Sequence, residues 1–160
     1  MKIRRLEPED FAKAFALLRN SFANSGYESR LIENLHNNNK TLLEWICIHR
    51  NKAIAYICYS HAYKGKNVCG LHLGPLAVAP DMQYQGIGSE LLRFSLRQPE
   101  VKEKTLYVLG NPKFYKKFGF EPCSSPICPF DKTGKHFLSI RNNAPNNFTV
   151  GYEQEFKKGL

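Results

Sequence analysis

No run in this chain approaches the roughly 20 consecutive apolar residues that a membrane-spanning helix needs, and the opening MKIRRLEPED has no apolar core of the kind that marks a secretion signal. A cytoplasmic protein with no membrane partner is expected. Cysteine is sparse, odd in number and scattered: Cys47, Cys58, Cys69, Cys123 and Cys128 fit reduced thiols rather than a disulfide framework. Cys123 and Cys128 are followed by a single histidine, His136, so a zinc site is not expected, nor any other metal. Internal repeats, low-complexity linkers and a second domain boundary are also missing. Residues 1–160 therefore read as one domain, and 42% hydrophobic content is enough for one full core at that length.

Acidic residues are in deficit, 14 against 23 lysines and arginines, for a formal net charge of +9. Such a surface attracts phosphates, nucleic acid, anionic lipid or acidic substrates, and charge alone does not choose among them. A nucleic-acid binder would cluster its basic residues with exposed aromatics on one face. Here they are spread over several segments, which weakens that reading.

What the chain does have is an ordered stretch from Leu71 to Leu92, LHLGPLAVAPDMQYQGIGSELL. Leu71–Ala79 reads as a buried strand that Pro80 and Asp81 stop, because proline has no amide hydrogen for a sheet ladder. Gln83 to Gly88 then turn the chain into a segment whose apolar residues Ile87, Leu91, Leu92, Phe94 and Leu96 recur near helical spacing. A helix should begin at or just before Gly86. Its first amides have no intrahelical acceptor, and glycine there lets an anion approach the backbone, so the stretch is a candidate phosphate site.

Before it, a short strand at Lys2–Leu6 should lead into a helix from about Pro8, with Phe11, Phe15, Leu18 and Phe22 on one face, ended by Asn24, Ser25 and Gly26. A second amphipathic helix should cover about Glu28 to His36. Leu42–Ile48 and Ala53–His61 form a β-hairpin around Arg50, Asn51 and Lys52, and the turn Lys64–Asn67 continues the meander. After it come a strand at Thr105–Leu109 and a short helix at Lys113–Lys117, capped by Asn111, begun by Pro112 and stopped by Gly119. Phe137–Ile140 and Phe148–Phe156 read as strands joined by the polar turn Asn142–Asn147.

This order of elements, with two motifs, resembles the GNAT superfamily of N-acetyltransferases. The first motif is Gln83-Tyr84-Gln85-Gly86-Ile87-Gly88 after the strand and proline Leu76-Ala77-Val78-Ala79-Pro80. The second is a tyrosine shortly before a Gly-Phe pair, Phe114-Tyr115-Lys116-Lys117-Phe118-Gly119-Phe120. A Rossmann loop does not fit, since Leu91 stands where a third glycine is wanted. The resemblance implies an α+β, three-layer acyl-CoA N-acyltransferase fold, a mixed and mostly antiparallel sheet flanked by helices.

It also implies acetyl-CoA as co-substrate. The pyrophosphate would take amides from Gln85, Gly86, Ile87, Gly88 and Ser89, with Gln83 bracing the turn or contributing its own amide. The pantetheine arm would pair with Leu76, Ala77 and Val78 like an added strand, with Asn111 lining its other side. Gln85 departs from the commoner arginine or lysine, which removes one charged phosphate contact. Backbone donation near Val78 would hold the oxyanion, and Tyr115 would protonate the departing sulfur. An alkylammonium with a pKa near 10.4 is only roughly 0.04% neutral at pH 7, so a base is useful. His72 is the first candidate and His61 and Glu44 the fallbacks. A route through an acetylated Cys69 finds no support in its neighbours. Packing is the competing reading for both Tyr115 and His72. A non-catalytic acyl-CoA-binding module is the competing function. The acceptor amine and the oligomeric state, a homodimer included, stay open.

Overall fold

The structure, a computed structural model, describes residues 1–144 and 146–156. Pro145, inside the turn expected at Asn142–Asn147, and the last four residues of the expected domain, 157–160, lie outside the described residues.

The described strands are β1 (Lys2–Arg5), β2 (Leu42–His49), β3 (Lys52–Lys64), β4 (Asn67–Val78), β5 (Leu106–Leu109), β6 (Glu121–Pro122) and β7 (Phe137–Ile140). The helices are α1 (Phe11–Ser21), α2 (Tyr27–Asn37), α3 (Ile87–Leu96) and α4 (Pro112–Tyr115). The sheet has the order β1-β2-β3-β4-β5-β7-β6. β1 pairs β2 antiparallel, β4 pairs β5 in parallel, and β7 pairs both β5 and β6 antiparallel. This is the expected α+β architecture. By backbone proximity the chain divides into two compact units, Met1–Tyr59 with Pro75–Lys102, and Ser60–Gly74 with Glu103–Leu160.

In the first unit, Pro8–Asp10 form a 3-10 turn that leads into α1. Asp10 is held low in pKa first by the Arg4 guanidinium, which it meets at 2.6 and 2.8 Å, and its carboxylate also accepts from the Glu7 amide. The side chains of β2 and β3 alternate between two helical layers. Glu44 meets His36 of α2 at 2.9 Å and accepts from the Tyr56 hydroxyl. Its neighbour Trp45 turns the other way, edge-on to Tyr59, whose hydroxyl bonds Ser95 of α3 at 2.7 Å. The helices thus cover opposite faces of these strands, with Leu18, Ile32 and Leu35 buried on one side and Leu91 and Leu92 on the other. The β2–β3 turn puts Arg50 and Asn51 at positive φ, the conformation a two-residue hairpin loop of this twist requires.

In the second unit a core of Ala62, Tyr107, Cys123, Cys128, Phe137 and Val150 packs under β5 and β7, with Tyr107 and Phe137 rings stacked at 5.6 Å. All five cysteines of the chain are free thiols. Two expectations are corrected. β4 begins at Asn67, four residues before the expected Leu71, because the Gly65-Lys66 turn is tight. The strand expected at Phe148–Phe156 does not form. Its described backbone makes isolated bridges, Thr149 with Ile127 and Gly151 with Tyr63, and its side chains add to the hold: Tyr152 stacks on His72 at 3.6 Å and Glu153 accepts from Tyr63 at 2.9 Å. The two-residue strand β6 at Glu121–Pro122 was not anticipated, being too short for periodicity to register.

Candidate active site

In the first unit, β4 ends at Val78 and Pro80–Met82 make one 3-10 turn. The chain then reverses through Tyr84 at φ +63 and Gly86 at φ +81 into α3. Tyr84 is fully exposed. Gly86 is the N-cap of α3, and the first intrahelical bond is donated by Glu90 to the Gly86 carbonyl at 3.0 Å. The amides of Ile87, Gly88 and Ser89 precede that bond, so helical geometry leaves them without intrahelical acceptors at the positive end of the helix dipole. Ile87 anchors the turn in the core while Gln85 and Gly86 stay exposed. Gln83 does not reach outward. Its side-chain amide donates to the Val78 carbonyl at 3.1 Å, bracing strand against loop. Ser21, at the end of α1, donates to the same carbonyl at 2.9 Å. Sequence reading passed over Ser21, and no local signal could have found it, because its partner lies 57 residues away.

β4 carries Leu76 and Val78 half-buried and Ala77 buried. Upstream, Gly74 at φ +145 is followed by Pro75, which has no amide to donate, so the strand is locally irregular there.

In the second unit, Asn111 caps α4 as expected, its side-chain oxygen accepting from the Lys113 amide at 3.0 Å. That oxygen is then committed to the cap. Tyr115 closes α4, only 9% exposed, its ring edge-on to Phe114 and Phe120. Burial pushes its pKa up to about 12, so the phenol is protonated at neutral pH. Gly110 makes room for it: a Cβ there would stand 2.6 Å from the ring.

His72 is 2% exposed and lies flat on Tyr152. Its Nε2 is 2.9 Å from the Gly151 carbonyl, which can only accept, so that nitrogen carries the proton. Burial lowers its pKa to about 4. A group of that pKa is poorly matched to taking protons near neutrality. The geometry is that of a packed ring tying Gly151 and Tyr152 to β4. Of the fallback bases, Glu44 is buried and committed to His36 and Tyr56. His61 is half-exposed and meets the Tyr63 ring edge-on. Burial raises the Cys69 thiol, which disfavours an acyl-cysteine. Among the described residues no cluster of His, Cys, Asp and Glu could hold a metal, and no helix is long and apolar enough to cross a membrane.

A strand, a proline stop, a left-handed glycine and a helix with three unpaired leading amides, within a mostly antiparallel sheet flanked by helices, define an acyltransferase-type fold. The model of the acetyltransferase (GNAT) domain family matches residues 40–122, more than half of the 160 residues, and the chain belongs to that family. The chain is 34% identical over 86 residues to the uncharacterized N-acetyltransferase YjhQ of Escherichia coli K12, a match covering 51% of this chain and 48% of that protein. It thus spans about half the length of this curated relative. The solved GNAT family N-acetyltransferase YhbS of Escherichia coli, in complex with CoA, superposes with a TM-score of 0.89 at 25% identity, covering 99% of this chain and 93% of that one. A GNAT family acetyltransferase from Brucella melitensis, in complex with acetyl-CoA, gives 0.81 at 22% identity, covering 98% and 97%.

Proposed function

We propose that this chain is a single N-acetyltransferase domain that uses acetyl-CoA to acetylate an amine of a small molecule, peptide or protein by direct attack on the thioester. The observation that carries the reading is the start of α3, where the first intrahelical bond waits until Glu90 and the amides before it are left for an anion. The residues present fit a pyrophosphate: Gly86 supplies the left-handed turn, Gly88 keeps the backbone approachable, and no acidic side chain lies between Gln83 and Ser89. The CoA and acetyl-CoA bound by the two solved relatives support the same ligand.

Acetyl-CoA supplies an acyl group already activated as a thioester. The chain's own groups do the rest. The amides of Gln85 to Ser89 bind phosphate, and Gln83 keeps their loop against Val78. The edge of Leu76 to Val78 aligns the pantetheine arm, and the Val78 amide donates to the thioester carbonyl oxygen. Tyr115 Oη holds a proton at neutral pH for the departing sulfur. We assign His72 to holding the Gly151–Tyr152 segment. The test is thiol release from acetyl-CoA across an amine panel. Amine-dependent release supports the reading, and acetyl-CoA binding without release from any amine reduces the chain to an acyl-CoA-binding module.

A further inference from the structure

The Val78–Ala79 peptide is held from both sides. Its carbonyl accepts from Ser21 Oγ at 2.9 Å and from Gln83 Nε2 at 3.1 Å, and its amide, that of Ala79, donates to the Ile54 carbonyl at 2.8 Å. A carbonyl has two lone pairs, and both are spent. Gly88 lies directly beside the Val78 side chain, one methyl of which is 3.4 Å from where a Cβ on Gly88 would stand. Since the Ala79 amide faces β3, the polar groups of Val78 face the opposite edge of β4. Among the described residues the pairing of β4 with β5 stops at Leu73, so on that edge Val78 is left with its amide. The position presents a donor and no acceptor.

We infer that Ser21 is a positioning residue for acyl transfer: its hydroxyl, with Gln83, saturates and orients the Val78 carbonyl, so that the Val78 amide is aimed at an acyl carbonyl oxygen. This rests on the reading of the β4 edge as the seat of acetyl-CoA. It ties the end of α1 to the part of the site that lies near residues 76–89. A serine that merely steadied α1 would support CoA and acetyl-CoA equally. One that aims the amide matters only to the ligand that carries a thioester carbonyl.

The experiment measures the affinities of CoA and acetyl-CoA for wild type, Ser21→Ala, Ser21→Thr and Gln83→Ala. It adds infrared spectra of bound acetyl-CoA isotope-labelled at the thioester carbonyl. Expected in Ser21→Ala is a loss of acetyl-CoA affinity relative to CoA of about two- to tenfold, the scale of one hydrogen bond, with the carbonyl stretch moved to higher frequency than in wild type. Ser21→Thr, which restores the hydroxyl, should recover both, and Gln83→Ala should mimic Ser21→Ala. Equal losses for the two ligands, or a carbonyl band the same as in wild type, would overturn the inference while leaving the cofactor site standing. Failure of wild type to bind either ligand would remove the site itself and this role with it.

Discussion

The turn from Gln83 to Ser89 and the segment from Phe148 to Phe156 hold their places by different means. The turn is built from backbone: a left-handed Gly86, helix amides and one side-chain brace from Gln83. The segment's backbone is bonded to Ile127 and Tyr63 through isolated bridges as far as Gly151, and beyond that it is pinned by side chains, Tyr152 on His72 and Glu153 on Tyr63. Backbone-built structure demands particular residue types, glycine above all, and these stand out in a sequence. Side-chain pinning can use any aromatic or acid whose partner sits in the right place, and the partners of Tyr152 and Glu153 lie 80 and 90 residues away.

Acid should break the pinned segment first. The His72 pKa is about 4 in the fold against 6.5 unperturbed, so between these values the unfolded chain binds more protons. Stability should therefore be intact above pH 6.5 and fall by about 3 kcal/mol as pH drops toward 4, with no further contribution below. Urea midpoints across that range measure it. His72→Gln, which does not titrate there, should flatten this part of the dependence, and an identical slope in the variant would show that His72 is not its source.

Next in size is Tyr115→Phe. It keeps the ring packing against Phe114 and Phe120 and should lower turnover by about a hundredfold, with CoA affinity little changed. Unaltered turnover would return Tyr115 to packing alone. Gly86→Val forces a β-branched side chain to φ +81 and should cost about 1–2 kcal/mol. CoA binding should suffer more than stability does, read by titration beside thermal unfolding. Smallest is Asn111→Ala, which removes the cap of α4 and should cost about 1 kcal/mol. Equal stability of the variant would mean that the Lys113 amide finds another acceptor.

The elements of the N-terminal half were legible because apolar period, proline and glycine all agreed there. The hairpin turn at Asn51, the stop at Pro80, the N-cap at Gly86 and the cap at Asn111 each follow from a residue's own conformational preference. The C-terminal part was not. Phe148, Val150, Tyr152 and Phe156 alternate like a strand, yet Tyr152 packs on His72 and Phe156 on Tyr152, so the pattern records aromatic packing rather than a ladder. The surroundings of His72 were hidden for the same reason: nothing beside it in sequence announces Gly151 or Tyr152. Ser21 was invisible because one hydroxyl at a helix end has no periodicity.

Whether the start of α3 receives acetyl-CoA is read from thermal unfolding of the wild-type chain with and without acetyl-CoA. At a hundredfold excess over the dissociation constant the fold should gain about 2.7 kcal/mol of stability, reduced in Gly86→Val. An unfolding transition that neither acetyl-CoA nor CoA shifts at any concentration would contradict it.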